Sequence, residues 1–159
     1  MSHSVIAADG GQVSAEEVAS LIGRRCSSAD YSGKKVLVIV PDSTRTAPVG
    51  MVFKALYDQV GAVVDRLDIM IALGTHQPMS EEAICERIEI TTEERSGRYK
   101  DVGFYNHEWD NPDALREIGV ITKDQLDELT EGRFAMDIPV EINRRLYDYD
   151  QIVILGPVF

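Results

Sequence analysis

One histidine lies where a buried strand should end and a helix should begin. The stretch "IALGTHQPMS", residues 71–80, places His76 between Gly74 and Pro78, directly after a run of apolar residues. The unperturbed pKa of a histidine is about 6.5, so its ring can exchange a proton near neutral pH. Two interpretations follow. His76 is a general acid or base beside a substrate, or it is a loop residue that only hydrogen-bonds a backbone carbonyl.

A second group of polar residues follows another apolar run. "VLVIV" leads into "PDSTRTAP", residues 41–48. A guanidinium at Arg45 can bind a carboxylate or phosphate through two parallel hydrogen bonds, with Asp42 orienting it or a substrate hydroxyl. Asp42, Thr44 and Arg45 are therefore the candidate substrate-binding residues. The alternative is local: Asp42 and its neighbours only cap the next helix, and Arg45 pairs with Asp42.

The surrounding pattern predicts the elements that position these residues. Unalternating aliphatic runs are typical of parallel strands covered on both faces, and helical periods separate them. We predict a Rossmann-like α/β fold with a mostly parallel sheet and helices on both faces, in one domain over 1–159, with 1–13 loosely ordered. The predicted strands are 35–42, 66–74, one near 102–107, one from 138 and a buried one at 151–156; the predicted helices are 14–26, 46–62 with proline in its first turn, 79–88, 111–119 and 122–132.

Parallel strands bring their carboxyl ends to one edge of the sheet, where ligands bind in open α/β folds. If the strands before Asp42 and His76 are parallel neighbours, then Asp42, Ser43, Thr44, Arg45 and His76 converge on that edge. The final strand ends there too, at "GPVF". The sequence therefore predicts a shared site.

The composition and net charge argue against several classes of binding partner. The formal net charge of −11 opposes binding to nucleic acid or to anionic membranes, and the apolar runs are too short to cross a bilayer. Cys26 and Cys85 have no metal or redox spacing, and no cationic leader is present, so we expect a cytoplasmic protein. The histidines have no metal-ligand spacing, and no P-loop or dinucleotide glycine pattern occurs. We expect His107 to be structural and His3 to be incidental.

These motifs together resemble the N-terminal domain of the nickel-pincer lactate racemase family, whose members racemise or epimerise 2-hydroxy acids. The resemblance rests on "DSTR" followed by Pro48, "GTHQP", "NHEWDN", "LREIG" and "PVEINRRLYDYDQIVILGPV", and it covers the chain from about residue 35 onward. It implies that Asp42 and Arg45 line the active site and that His76 is one of two acid–base histidines. Gln77 departs from the family, in which many members carry arginine there.

The resemblance also implies what this chain lacks. The second catalytic histidine, the lysine that holds the nickel-pincer nucleotide and a nickel-ligating histidine follow later in the family. We therefore expect a fragment, inactive alone and without bound cofactor, of a racemase completed by a missing C-terminal domain. Its substrate would be a small 2-hydroxy acid. Two alternatives are a non-catalytic α/β domain that binds a small anion or nucleotide, and an assembly domain whose polar segment 89–111 contacts a partner.

Overall fold

The computed structural model describes residues 4–157, which form two compact units. The first contains the chain up to His107 together with the segment that begins at Tyr149, and the second contains residues 108–148. The strands are β1 (Lys35–Pro41), β2 (Arg66–Ala72), β3 (Phe104–Asn106), β4 (Leu115–Ile121), β5 (Ile138–Asn143) and β6 (Gln151–Ile154). The helices are α1 (Ala15–Arg25), α2 (Ser28–Tyr31), α3 (Val49–Val60), α4 (Glu81–Arg87), α5 (Thr92–Ser96) and α6 (Lys123–Leu129). His3 and residues 158–159 lie outside the described chain.

The first unit is built on a four-stranded sheet in the order β3-β2-β1-β6, in which every pairing is parallel. Val36, Leu37 and Val38 are consecutive and all fully buried. Because successive side chains of a strand point to opposite faces, β1 is covered on both sides of the sheet. The α/β class and the parallel sheet predicted from the unalternating runs are confirmed.

The helices of the first unit begin at residues that the sequence marks. Ser14 and Glu17 form the predicted capping box of α1, and Ser80 accepts the amide of Ala83 to cap α4. The start of α3 differs from the prediction, because Pro48 lies at the N-cap and the helix begins at Val49. The loop between β1 and α3 is longer as a result.

Four of the sequence predictions were wrong. The 28–35 stretch, interpreted as a plain polar connection, contains α2, and the 89–111 stretch, predicted to be irregular apart from a short strand, contains α5; the short strand itself is β3, as predicted. "LREIG" is part of β4 rather than a helix, because it pairs with the distant strand β5, which no local pattern reveals. The last strand, β6, was predicted to be buried but lies at the sheet edge, where Ile154 is 77% exposed.

The second unit contains β4 and β5, paired antiparallel with an irregular register between Glu117 and Gly119, and helix α6. A capping box of Thr122 and Gln125 starts α6, as its sequence predicts. The 3-10 turns at Pro112–Ala114 and Arg144–Asp148 complete this unit. The candidate site residues predicted from the sequence all belong to the first unit.

Candidate active site

The two predicted loops meet at the carboxyl edge of the parallel sheet. Asp42 directly follows β1, and His76 lies in the loop that follows β2, the strand beside β1. The Nδ1 atom of His76 is 2.6 Å from Oδ2 of Asp42. The structure therefore brings together the carboxylate and the imidazole that the sequence assigned to one edge.

Asp42 is a buried carboxylate, 7% exposed, with a full set of donors. Its Oδ1 accepts the backbone amide of Thr44 at 3.0 Å and the Thr44 hydroxyl at 2.5 Å. Burial by itself raises the pKa of Asp42, but the hydrogen bonds from Thr44 and His76 outweigh burial and lower the pKa below its ordinary value. Asp42 is therefore ionised at neutral pH.

An ionised Asp42 sets the tautomer of His76. A carboxylate can only accept hydrogen bonds, so the proton on the His76 ring must lie on Nδ1. The neutral ring then keeps its lone pair on Nε2, and 57% of the side chain is exposed to solvent. This is the arrangement of a general base whose far nitrogen is oriented by a carboxylate.

Arg45 lies on the same loop as Asp42, but the two side chains do not pair. Its backbone amide donates to the carbonyl of Asp42 at 3.4 Å, which closes the turn. The Arg45 side chain is exposed and has no hydrogen bond or ion pair with another residue of the 4–157 segment. Its guanidinium is therefore available to an anion. The local alternative, in which Arg45 pairs with Asp42, is not what the structure shows, because the side chain of Asp42 faces His76.

A second arginine holds the loop of Asp42 from outside. Arg87, in the last turn of α4, donates from Nε to the carbonyl of Pro41 and from Nη2 to the carbonyl of Arg45, both at 2.9 Å. These two carbonyls flank the "DST" segment. The end of α4 also packs on the start of α3, where a side chain on Gly50 would come within 2.6 Å of Glu89. Glycine at 50 permits this close approach.

The loop of His76 has its own support at the end of β3. The side chain of Asn106 accepts the amide of Met79 at 3.0 Å and donates to the carbonyl of Met79 at 2.9 Å. The next residue, His107, donates its amide to the carbonyl of Ile71 in β2. Both loops of the site are thus tied through backbone groups to elements next to them.

Other features of the first unit remain apart from this pair. Ser43 and Gln77 are exposed residues of the two loops. Within residues 4–157, no group of three His, Cys, Asp or Glu side chains is arranged to hold a metal ion. No helix in the same range combines the length and apolar character that crossing a membrane requires.

With this geometry established, comparison with known proteins identifies the family. A family described as the lactate racemase N-terminal domain matches residues 15–159. The chain belongs to the lactate racemase N-terminal domain family.

A solved structure supports the fold of this lactate racemase N-terminal domain. It is a crystal structure of a Thermotoga maritima protein, solved as a structural genomics target, with 31% sequence identity and a TM-score of 0.77. The match covers 89% of the present chain and 33% of the Thermotoga maritima chain, so this domain spans about a third of that protein's length. A comparison with curated proteins finds no match.

Two residues of this domain were given no role in the sequence analysis. Asn106 follows a short parallel strand, so the rule that placed Asp42 and His76 could have placed it at the same edge. The helix dipole by itself favours a basic residue such as Arg87 in the last turn of α4. Nothing in the sequence links Arg87 to the loop of Asp42. Only the fold reveals that contact.

Proposed function

We propose that this chain is the substrate-side domain of a cytoplasmic 2-hydroxy-acid racemase or epimerase, with His76 as one of its acid–base groups. The observation that carries the proposal is the 2.6 Å contact between His76 Nδ1 and Asp42, because it leaves Nε2 as the open, proton-accepting nitrogen. The domain family supports the reaction class, since its description names lactate racemase.

In the proposed reaction, Arg45 binds the substrate carboxylate and His76 accepts the proton of the 2-hydroxyl group. The C–H bond at the 2-carbon then breaks with its electron pair leaving as hydride, so that a 2-keto acid remains. As the ring of His76 becomes positively charged, the carboxylate of Asp42 stabilises it across the short hydrogen bond. Return of the hydride to the opposite face inverts the stereocentre, and a second acid–base group must serve that face.

The hydride acceptor that the family implies is a nickel-pincer nucleotide, whose chemistry when bound is reversible uptake of hydride from the 2-carbon. The side chains of residues 4–157 provide no three-ligand set for its metal. We therefore assign that cofactor, and the second acid–base group, to the part of a full-length protein beyond this domain. The role of this domain is to bind, orient and deprotonate the substrate.

The first test uses the full-length protein with its mature cofactor and lactate as substrate. We expect His76→Ala to lower kcat by roughly 10²–10⁴-fold, the usual contribution of a general base. Exogenous imidazole should restore part of the loss, because it can occupy the space of the missing ring. Turnover by His76→Ala equal to that of the unmodified protein would refute the role of His76.

A second test separates hydride transfer from proton abstraction at the 2-carbon. With lactate deuterated at C2, we expect deuterium to be retained in the racemised product, because a hydride does not exchange with water. Loss of deuterium to solvent would refute the hydride step while leaving His76 as a base. If the full-length protein binds lactate through Arg45 without racemising it, the alternative of a non-catalytic anion-binding domain is correct.

A further inference from the structure

Arg87 connects two segments that the proposed reaction requires to be held at a fixed separation. Its helix, α4, follows the His76 loop directly, with Ser80 as its cap. Its guanidinium binds the carbonyls of Pro41 and Arg45 in the other loop. A single side chain therefore joins the element after the base to the loop that carries Asp42 and the anion-binding arginine.

We propose that Arg87 is a positioning residue, which fixes the loop of Asp42 and Arg45 relative to His76. Its catalytic consequence rests on the proposed function, whereas the coupling between the two loops does not. Arg87 would act in this role without contacting the substrate or the reacting atoms.

The geometry of the contact requires a guanidinium. Nε and Nη2 point at different carbonyls, each 2.9 Å away, and both bonds are strengthened by the positive charge. A lysine would present one ammonium nitrogen and could not reproduce the fork. The side chain of Arg87 is also partly buried, so its position is more restricted than that of a solvated arginine.

Further contacts fix α4 in place at this end. Gly50, in the first turn of α3, lies against the side chain of Glu89, and Lys54 donates from Nζ to the carbonyl of Glu89. The turn after α4 therefore contacts α3, and Arg87 holds the loop that precedes α3. Without the fork, the contact of this turn with α3 would persist, but the segment from Asp42 to Arg45 would lose its tie to α4.

Loosening this segment should change substrate binding as well as turnover. The guanidinium of Arg45 and the imidazole of His76 must contact the carboxylate and hydroxyl of one small substrate at once. A displacement of about 1 Å in such a pair can cost 10²-fold in rate. A lower folded fraction, by contrast, reduces the apparent kcat and leaves KM unchanged, so KM distinguishes positioning from mere stability.

The test compares Arg87→Lys with Arg95→Lys in the full-length protein. Arg95 is a matched control, because it also forks, from Nε to Glu81 and from Nη1 to the carbonyl of Tyr99, but it contacts neither loop of the site. For Arg87→Lys we expect KM for lactate to rise about ten-fold, by the same sensitivity to position. For Arg95→Lys we expect KM within about two-fold of the unmodified protein, because Arg95 contacts neither loop of the candidate site.

A second measurement does not depend on activity. In the 159-residue chain, the Thr44 amide, which donates to Asp42, and the ring nitrogens of His76 report the loop geometry by NMR. Arg87→Lys should shift the Thr44 amide and alter the His76 nitrogen signals, and Arg95→Lys should not. If Arg87→Lys does not fold, Arg87→Gln, which can still donate to one carbonyl, replaces it in both measurements.

The outcomes separate the two proposals. If the unmodified full-length protein does not racemise lactate, the proposed function is wrong, and the NMR comparison alone decides the role of Arg87. If it racemises lactate but Arg87→Lys behaves like Arg95→Lys in KM and in the NMR signals, the role of Arg87 is overturned. A rise in KM together with shifted loop signals, confined to the Arg87 variant, supports it.

Discussion

Two buried aspartates, at opposite ends of adjacent parallel strands, show different uses of the same side chain. Asp42 follows the carboxyl end of β1, and Asp68 lies near the amino end of β2. They are 7% and 1% exposed. Asp68 accepts the amide of Gly103 at 2.7 Å, the hydroxyl of Tyr149 and the guanidinium of Arg66.

The partners of Asp68 are themselves paired within the fold. Arg66 donates to the hydroxyl of Tyr105 at 2.7 Å and lies over the ring of Tyr149. Burial, followed by the hydrogen bond to Asp68, raises the pKa of Tyr149, so its hydroxyl remains a donor at neutral pH. A side chain on Gly103 would come within 2.7 Å of Asp68 Oδ1, so glycine permits this close approach. We expect this cluster, whose named groups are paired with one another, to stabilise the fold.

In the cluster around Asp42, only one side of the His76 ring has a hydrogen-bond partner among the residues that the structure describes. The Nδ1 atom of His76 faces Asp42, while most of the ring is exposed to solvent. Arg45 extends from the same loop without a side-chain partner between residues 4 and 157. The two carboxylates each accept three donors, so the difference between the clusters lies in their other side chains. His76 and Arg45 are exposed beside Asp42, whereas Tyr149 and Arg66 are paired around Asp68. Changes in the free energy of unfolding can test this difference.

The largest loss of stability is expected for Asp68→Asn. The NH2 group of the asparagine is itself a donor, and it would face the donors of Gly103, Tyr149 and Arg66 in a buried position. We therefore expect the free energy of unfolding to fall by about 3 kcal/mol. Urea unfolding followed by circular dichroism measures it. Asp65→Asn, at an exposed residue just before β2, is the control and should change stability by less than about 0.5 kcal/mol. A loss at Asp68 as small as the control's would show that the cluster is not structural.

A smaller loss is expected for Asp42→Asn, about 1–2 kcal/mol at pH 7, because its charge-assisted hydrogen bonds become neutral ones. The effect should depend on pH. The pKa of Asp42 is lowered in the folded state, so its carboxylate contributes stability above the unfolded pKa of about 3.9 and loses that contribution as pH falls through the lower folded pKa.

The stability difference between the unmodified chain and Asp42→Asn should therefore shrink as pH falls below about 5, where the carboxylate of Asp42 begins to take up a proton. Urea unfolding repeated between neutral and acidic pH measures it. The same series on Asp65→Asn provides the baseline for carboxylates outside the site. A difference that grows as pH falls from about 5 to about 3 would contradict the role of Asp42 as an ionised hydrogen-bond acceptor.

The sequence was sufficient to predict the edge of the sheet at which the candidate site lies. It was not sufficient to predict the contacts between the residues of that site. The aliphatic runs before Asp42 and His76 indicate parallel strands, and parallel pairing alone brings their ends together. It does not decide whether Asp42 faces His76 or Arg45, because that depends on the turn at Thr44 and on side-chain directions. The fork of Arg87 depends on the packing of α4, which no spacing encodes.

Two errors of the sequence analysis have the same origin. The stretch "LREIG", predicted to be a helix, is a strand because it pairs with β5, and helix α6 separates the two strands along the chain. The last strand was expected to be buried because it is apolar, yet it ends the sheet, and sheet order is set by tertiary packing. Local patterns predicted elements that are stabilised locally, such as α1 with its capping box. They failed for these two strands, where distant pairing decides, and they were overlooked at α5, where Thr91 and Glu94 form a local capping box.

The smallest effect on stability is expected where the effect on binding is greatest. Arg45→Ala removes a side chain without a partner among the described residues, so the free energy of unfolding should change by less than about 0.5 kcal/mol. In the full-length protein, the same variant should weaken lactate binding by about 10- to 100-fold, through loss of a charge-assisted contact. Arg24→Ala, in the last turn of α1, is a control for removal of a positive charge. A loss of stability at Arg45 equal to that of Asp68→Asn would show that Arg45 belongs to a structural cluster, and the distinction between the two ends of the sheet would fail.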